Sequence, residues 1–342
     1  MSVEVTGRPP GTDDPESSSA PSTGTRRRRS VKKGTGRLAA ILVSPTLIVL
    51  GLVVAYPILS ALHESLFRAR DDLDAQGFVI EGDVFVGARN FTDILFGPEA
   101  ERFWNAFWNT TFFTVTTVAL ETVLGVAMAL VMHRALRGRA FVRASILVPW
   151  AVPTAVSALM WRWIFAPDGI ANLALGRQIL WSADAVAAKV AVITAEVWKT
   201  APFVGLLVLA GLQLIPQEVH EAARVDGASG WSRFWRITLP LIKPALLVAV
   251  LFRMLDALRM FDLPFVLIGQ QKDSVETLSM LAWTEATNIQ FGPAAAYATI
   301  MFAYVALVAF AFVKMLGADV IGDARTSVRR KRSAPAGKEA AR

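Results

Sequence analysis

The chain has 342 residues, of which 54% are hydrophobic and 18% are charged, and it contains no cysteine. This composition lies outside the usual range of soluble domains, and the lack of cysteine excludes disulfide frameworks and cysteine-based metal sites. The formal net charge of +7 does not indicate a nucleic-acid partner, because the basic residues lie mainly in short segments beside apolar runs. A multi-spanning membrane protein is the first interpretation.

The N-terminal segment, residues 1–37, is rich in Ser, Pro, Gly and Thr and ends in a basic stretch. It has too few apolar residues to form a core, so we predict a disordered cytoplasmic tail. The apolar run at 38–62 is too long for the core of a secretory signal, and no small-residue cleavage site follows it. We predict that this run stays in the membrane as the first span.

Five further apolar runs are long enough to cross a bilayer. They lie at 106–131, 141–165, 189–213, 243–267 and 293–317. The sequence therefore predicts an all-α polytopic membrane protein with six transmembrane helices. Prolines inside or beside the spans predict kinks, since packed neighbours can satisfy the freed backbone groups; these are Pro57, Pro149, Pro153, Pro202 and Pro264.

The basic residues outside the spans are distributed unevenly between alternate segments. Four segments hold 24 of them, namely 1–37, 132–143, 214–243 and the C-terminal end from Lys314. The three remaining loops, 63–105, 166–189 and 268–292, hold only 7. The positive-inside rule then places both termini, including the basic tail at 318–342, in the cytoplasm. The 63–105 loop is long enough for a small folded cap outside the membrane.

The cytoplasmic loop at 214–243 contains the polar stretch "EAARVDGASGWSRFWRITLP". Pro216 suits a first helical position, and Asp226 with Gly227 predicts the turn that ends this helix. Ser229 can cap a second short helix on which three aromatic residues share one face, before Pro240 and Pro244 disrupt it; the three are Trp231, Phe234 and Trp235. A pair of amphipathic helices at the lipid interface and a protein-docking element explain these residues equally well.

The spacing of the loop decides between these interpretations. It reads Glu-Ala-Ala, three residues, Gly, nine residues, Ile, one residue and Leu-Pro, which are Glu221, Ala222, Ala223, Gly227, Ile237, Leu239 and Pro240. This pattern resembles the cytoplasmic-loop motif of the membrane subunits of binding-protein-dependent ABC importers. In that family the loop docks in a groove on an ATPase subunit. The resemblance implies that Glu221 pairs with a basic groove residue and that small Ala222 and Ala223 permit close approach.

Three further stretches are similar to the maltose and trehalose type of sugar importer, in particular to the actinobacterial trehalose permeases. They are "FVGARNF" at 85–91, "LVPWAVP" at 147–153 and "EVWKTAPF" at 196–203. The resemblance covers about 38–317 and implies a type I ABC importer permease fold in the bacterial cell membrane. It also implies three kinds of partner: a second permease subunit, two ATPase subunits and an extracytoplasmic sugar-binding protein. ATP and Mg would be bound by the ATPase, so no cofactor or metal is expected in this chain.

Charged residues inside the spans are functional candidates, because they are costly in a bilayer. Arg253, Asp256, Arg259 and Asp262 recur every three residues with alternating sign, so neighbours can neutralise each other along one helix. A buried structural ladder and a substrate contact both remain open for this group. The same two interpretations, a structural pair and a substrate contact, apply to Glu196 and Lys199.

In the maltose-type relatives, sugar is held midway through the membrane by polar and aromatic side chains of kinked helices. The matching positions here are Trp150 and Thr154, then Glu196, Thr200 and Phe203, and then Phe252, Asp256 and Arg259. Their spacing places each set on one helical face, so we predict that three faces converge on one cavity. Simple packing of Trp150, and sugar binding by the other permease alone, remain alternatives.

An enzyme is not expected, because the sequence contains no G-x-x-x-x-G-K-[ST] phosphate loop and no HExxH pattern. Ser229 misses the G-x-S-x-G elbow, since Trp231 stands where its last glycine should be. An ion-coupled secondary transporter is the main alternative, because membrane charges and broken helices are also typical of that class. A third class is a passive membrane scaffold, which would show no dependence on a solute. An ABC permease for another solute, such as glycerol-3-phosphate, is a further alternative.

Overall fold

The structure, a computed structural model, describes residues 34–70, 82–134, 138–270 and 272–333. Most of the predicted N-terminal tail, 1–33, lies outside the described residues, and α1 (Gly34–Leu50) begins at Gly34. A π-helical turn (Gly51–Ala55) follows α1, and the two belong to a first compact unit that ends at Tyr56. α2 (Tyr56–Glu64) continues this helix, so the first predicted span forms one apolar helical stretch at Ala40–Glu64.

The second compact unit contains the remaining elements. Its outer part begins with β1 (Phe67–Ala69), β2 (Asp83–Phe85) and α3 (Arg89–Phe96). The long central helices and their connections are α4 (Ala100–His133), α5 (Arg139–Ala151), α6 (Thr154–Ile164), α7 (Ile170–Leu175) and α8 (Ala185–Gln213). The loop at 214–243 holds α9 (Gln217–Val225), α10 (Gly230–Arg233) and a π-helical turn (Phe234–Thr238). The chain continues with α11 (Leu239–Ala257), α12 (Asp262–Leu267), α13 (Leu278–Thr287) and α14 (Phe291–Ser333).

Within the described ranges, five helical stretches are long and apolar enough to cross a membrane, and α5 with α6 makes a sixth if the pair counts as one span. The predicted all-α fold with six spans is confirmed. The third span is nevertheless not one kinked helix, because α5 and α6 meet at 93°. Val152, which precedes Pro153, has an extended backbone, as proline requires of its predecessor, and this residue ends α5.

The fifth span differs from its prediction at both ends. Gly230–Ala257 forms one continuous helical stretch, so the prediction that Pro240 and Pro244 disrupt the helix is wrong. Pro240 is the second residue of α11, just after the π-helical turn (Phe234–Thr238), and Pro244 lies inside α11, so the helical stretch runs through both prolines. At the other end the helix stops at Ala257, ten residues before the predicted end, and α12 is a separate short helix.

Small residues allow α4, α8 and α11 to pack closely. A Cβ added at Gly125 of α4 would lie 2.7 Å from the Cβ of Val204 on α8. A Cβ added at Gly211 of α8 would lie 2.6 Å from the Cβ of Ala245 on α11. Close approach through glycine and alanine is typical of helix packing in membranes, where apolar surface alone gives little drive to associate. These three helices form the core on which the polar site is built.

The 63–105 loop contains a two-stranded antiparallel ribbon and one short helix, α3, although residues 71–81 of this loop lie outside the described residues. Phe67 of β1 pairs with Phe85 of β2. Asn90 of α3 is buried and donates hydrogen bonds of 2.8 Å to the carbonyl oxygens of Ser65 and Phe67. The strands are an addition to the elements predicted from the sequence, since each is only three residues long.

Candidate functional site

A buried arginine binds three carboxylates, of which Glu121 and Glu196 are buried and Asp256 is exposed. Arg253 on α11 is 1% exposed, and its Nε lies 2.5 Å from Oε2 of Glu121 on α4. Its Nη2 donates to Oε1 of Glu121 at 3.0 Å and to Oε1 of Glu196 on α8 at 2.9 Å. Its Nη1 lies 2.5 Å from Oδ2 of Asp256, one turn further along α11. One guanidinium thus ties together the three packed helices.

Glu121 is the member of this cluster that the sequence reasoning missed. It is fully buried, and it also accepts a hydrogen bond of 2.6 Å from the Thr200 hydroxyl of α8. The sequence does contain a signal for this residue, because Glu121 is the sole charged residue in the predicted span at 106–131. An ionisable side chain within a span is by itself a functional or structural candidate.

A small polar cavity of about 120 Å³ lies beside the cluster. Five of the eight residues predicted for the substrate path line it: Thr154, Glu196, Thr200, Asp256 and Arg259. Lys199 and Asp262, two charged residues outside the predicted path, line it as well. The predicted convergence of three segments on one cavity is therefore observed for these five residues.

Breaks in the helices place polar side chains at this cavity. Thr154 is the first residue of α6, directly after the 93° bend. Arg259 lies in the connection 258–261 that follows the end of α11, and Asp262 is the first residue of α12. Non-helical backbone at membrane depth is tolerated where it lines a cavity or is buried in protein.

Two acidic residues of the cavity form ion pairs, whereas its two basic residues, Lys199 and Arg259, do not within the described part of the chain. The acidic residues are Glu196 and Asp256, and both are bound to Arg253. Lys199 is only 8% exposed, so its ammonium group is held near the cavity rather than in bulk solvent. The described residues contain no group of acidic and histidine side chains that could hold a metal ion.

The four charges from Arg253 to Asp262 do not form a ladder along one helix, which was one of the two interpretations open for this group. Of its four residues, only Arg253 and Asp256 form an ion pair with each other in the described structure. The helix ends at Ala257, so Arg259 and Asp262 cannot continue the same row. Arg253 instead finds its other partners on α4 and α8.

The three aromatic residues of the predicted path lie outside the cavity lining. Trp150 and Phe203 stack on each other with ring centroids 5.6 Å apart. Trp150 and Thr154 stand on opposite sides of the bend, so the prediction that they share one helical face is wrong. Phe252 is 55% exposed and does not line the cavity.

The loop at 214–243 has the predicted turn and helix cap, although Pro216 is the N-cap of α9 and not its first residue. α9 ends at Val225 with Asp226 as its C-cap, and Gly227 has a φ of +77°. The Ser229 hydroxyl caps α10 by accepting from the amide of Ser232 at 3.3 Å. Ala222 is exposed, whereas Ala223 is 6% exposed and packs within the chain. Only one of the two alanines is therefore available to an external surface.

Several side chains of the loop motif are exposed or partly exposed. The Glu221 carboxylate accepts from Nε2 of Gln217 at 3.0 Å on the exposed side of α9. Ile237 and Leu239 are half-buried, and Pro240 is exposed. The predicted aromatic face is confirmed, because Trp231 contacts Trp235 at a centroid distance of 5.5 Å and Phe234 at 6.5 Å.

Two larger grooves, of about 560 and 530 Å³, also open on the second unit. Their walls are mainly apolar, with alanines and aromatic residues in the first and leucine, isoleucine and proline in the second. They lack the convergent charged groups that the smaller cavity has, so the smaller cavity is the better candidate for binding a polar solute.

Comparisons with known proteins agree with this architecture. The family described as "Binding-protein-dependent transport system inner membrane component" matches residues 121–322. The chain is 37% identical over 291 residues to the trehalose/maltose transport system permease protein MalF of Thermococcus litoralis, which covers 83% of this chain and 95% of that protein. It is 39% identical over 291 residues to the trehalose transport system permease protein SugA of Mycobacterium tuberculosis, covering 84% and 91%.

A solved structure shares the fold. It is a bacterial ABC transporter involved in the import of the acidic polysaccharide alginate, and its matching chain has a TM-score of 0.69 to this one. The match covers 82% of this chain and 95% of the other at 19% sequence identity. At that identity the likeness concerns the fold alone.

Proposed function

Because the chain belongs to the family of inner membrane components of binding-protein-dependent transport systems, we propose that it is the permease subunit of an ATP-driven sugar importer. Its type I permease fold is the one that the motif of the cytoplasmic loop predicts. The relatives at 37–39% identity are named for trehalose and maltose transport, which supports a disaccharide of this type as the solute.

The observation that carries the proposal is the mixture of charges at the small cavity. Glu196 and Asp256 offer carboxylate acceptors, while Lys199 and Arg259 offer donors. A sugar hydroxyl can donate and accept at once, so a neutral polyol can use both kinds of group. Convergent polar groups of this kind fix the orientation of a small ligand in its site.

The size of the cavity supports a site shared with a second subunit. Pockets for ligands of this class usually measure about 300–1,000 Å³, and this cavity has about 120 Å³. We propose that the second permease subunit supplies the other wall of the pathway. Trp150, Phe203 and Phe252, which lie outside the present cavity lining, are the aromatic groups of this chain that remain candidates for that pathway.

The remaining partners follow from the same family membership. Two ATPase subunits would bind ATP and Mg and drive transport, and an extracytoplasmic binding protein would deliver the sugar. The exposed side of the cytoplasmic loop would dock on an ATPase subunit through Glu221, Ala222 and the turn at Asp226–Gly227. Ile237, Leu239 and Pro240 would set the angle at which α11 leaves this contact.

We propose that both termini lie in the cytoplasm. The distribution of basic residues, 24 on one side against 7 on the other, supports this orientation. It places the docking loop on the side where ATP is available and the 63–105 cap on the side where a binding protein arrives.

Uptake by the reconstituted importer tests the proposal. The chain is co-purified with its operon partners, placed in liposomes, and assayed with labelled trehalose, maltose and glycerol-3-phosphate. We expect uptake of a disaccharide that requires ATP, the ATPase and the binding protein. Uptake by this chain alone, driven by an ion gradient, would identify a secondary transporter, and uptake of glycerol-3-phosphate alone would overturn the choice of sugar.

A further inference from the structure

The three carboxylates around Arg253 do not use their oxygens equally. Both oxygens of Glu121 are occupied, because Oε1 accepts from Arg253 and Thr200 and Oε2 accepts from Arg253. Glu196 uses only Oε1 and Asp256 uses only Oδ2 in binding Arg253. Within the described residues, the second carboxylate oxygen of Glu196 and that of Asp256 accept no hydrogen bond.

This difference matches where the residues lie. Glu196 and Asp256 line the polar cavity, whereas Glu121 is fully buried and does not. Glu121 therefore has the features of an anchor, which holds the guanidinium from behind through two nitrogens. Glu196 and Asp256 line the cavity, and each has one carboxylate oxygen that accepts no hydrogen bond from the described residues.

We propose that Arg253 is a positioning residue for sugar transport. It fixes the Glu196 and Asp256 carboxylates so that the free oxygen of each accepts a hydrogen bond from a substrate hydroxyl. Arg253 itself does not line the cavity, and it acts only through these two residues. This inference rests on the proposed function, because it names the groups that meet the sugar.

The geometry needs a guanidinium rather than any positive charge. Three of its nitrogens are used in different directions, with Nε toward Glu121, Nη1 toward Asp256 and Nη2 toward Glu121 and Glu196. The planar fork of arginine holds these directions fixed, whereas a lysine ammonium is a single point charge on a flexible stem. Lysine at 253 would keep the charge and lose the alignment of the two carboxylates.

The test compares Arg253→Lys with a matched control in the assembled importer with its partners. The control is Arg102→Lys, since Arg102 also binds a buried carboxylate through two nitrogens. Its Nε lies 3.0 Å from Oε2 of Glu276, and its Nη2 lies 2.7 Å from Oε1. Arg102 lies at the start of α4 and Glu276 lies just before α13, and neither residue lines the cavity. The initial rate of labelled disaccharide uptake is measured against sugar concentration and normalised to the amount of assembled complex.

We expect Arg253→Lys to raise the KM for the disaccharide about tenfold or more, because charge-assisted hydrogen bonds to the sugar lose their alignment. The maximal rate per complex should change less than about twofold. A contact that is lost equally in the ground state and the transition state raises KM and leaves the maximal rate unchanged. Arg102→Lys should leave KM unchanged. A purely structural role for Arg253 instead lowers the amount of complex or its maximal rate and leaves KM at the wild-type value, which would overturn the inference.

A second variant decides the matter if Arg253→Lys does not assemble. Glu121→Gln keeps the shape of the anchor and weakens its hold on Arg253, so it should raise KM by a smaller factor than Arg253→Lys. If both variants fail to assemble while Arg102→Lys assembles, Arg253 is structural and the inference is wrong. Failure of the wild-type importer to transport any disaccharide would instead reject the proposed function, which separates the two conclusions.

Discussion

The hydroxyl oxygen of Thr200 on α8 lies 2.6 Å from Oε1 of Glu121 on α4, so a residue predicted for the substrate path donates to a buried carboxylate. The same hydroxyl lies 2.6 Å from the carbonyl oxygen of Glu196, one turn earlier on α8. Its single proton is committed within the chain, because both neighbours are acceptors. Thr200 therefore lines the cavity while its hydroxyl supports the cluster around Arg253.

Replacing Thr200 by valine keeps the shape and removes this donor. We expect the free energy of unfolding to fall by about 1–3 kcal/mol, because Glu121 loses one hydrogen bond in a buried position. The thermal midpoint of the purified complex in detergent measures the change. Thr122→Val is the matched control, since its hydroxyl bonds only to the carbonyl oxygen of Val118 in its own helix. Equal midpoints for the two variants would contradict the role of Thr200.

The turn at Gly227 predicts a defect in coupling. A β-branched side chain at its φ of +77° would strain the backbone by about 1–3 kcal/mol, so Gly227→Val should alter the angle between α9 and α10. We expect uptake to fall more than about tenfold while the complex still assembles and hydrolyses ATP. Gly230→Ala is the control, because Gly230 has an ordinary φ and an added Cβ would meet only the end of Arg233 at 3.9 Å. Wild-type uptake by Gly227→Val would contradict the proposed bend.

Loss of Asp256 should weaken transport without removing the protein from the membrane. Arg253 keeps Glu121 and Glu196 when Asp256→Asn is made, so no buried arginine is left unpaired. We expect normal amounts of complex. The KM for the disaccharide should rise about tenfold, because the sugar loses one charge-assisted hydrogen bond. Asp168→Asn, at an exposed position outside the cavity lining, should leave KM unchanged.

Adding Arg259→Gln to Asp256→Asn removes a second charge from the cavity lining and should raise KM further. Both substitutions keep hydrogen-bonding groups of similar size, so an effect on transport can be assigned to the loss of the charges. A double variant that transports at the wild-type rate and KM would exclude these two residues from the sugar site. A loss of assembled protein would instead point to a structural role.

Gly292 at the start of α14 leaves no room for a side chain. A Cβ at this position would collide with the carbonyl oxygen of Phe67 in β1, which also accepts from Asn90. We expect Gly292→Ala to lower the free energy of unfolding by about 1–3 kcal/mol, as overpacking does, and to speed proteolysis of the 63–105 cap. Gly51→Ala is the control, since nothing lies within 4 Å of its added Cβ. Equal proteolysis of both variants would show that the cap tolerates the methyl group.

The proposed orientation can be checked with reporter fusions. A reporter that is active only outside the cytoplasmic membrane should be inactive when fused after Lys314 and active when inserted beside Arg177 in the loop before α8. The distribution of basic residues gives this expectation. Activity at the C-terminal fusion would contradict a cytoplasmic C-terminus.

Local features of this protein could be predicted from the sequence. The apolar runs specify the spans, because a bilayer demands about twenty apolar residues wherever a helix crosses it. The turn at Gly227 and the cap at Ser229 were predictable for a similar reason, since each depends on residues within one or two turns of itself. The loop motif added the family, because its spacing is contained in one short segment.

Only the tertiary structure decided how the charges pair. Alternating signs from Arg253 to Asp262 suggested one helical row, but the main partner of Arg253 is Glu121, which lies 132 positions away. That pairing depends on the rotation and depth of α4, α8 and α11, which are set by contacts such as Gly125 with Val204 and Gly211 with Ala245. A guanidinium buried among these helices must take whichever carboxylates the packing brings near, and no local spacing along the chain determines that choice.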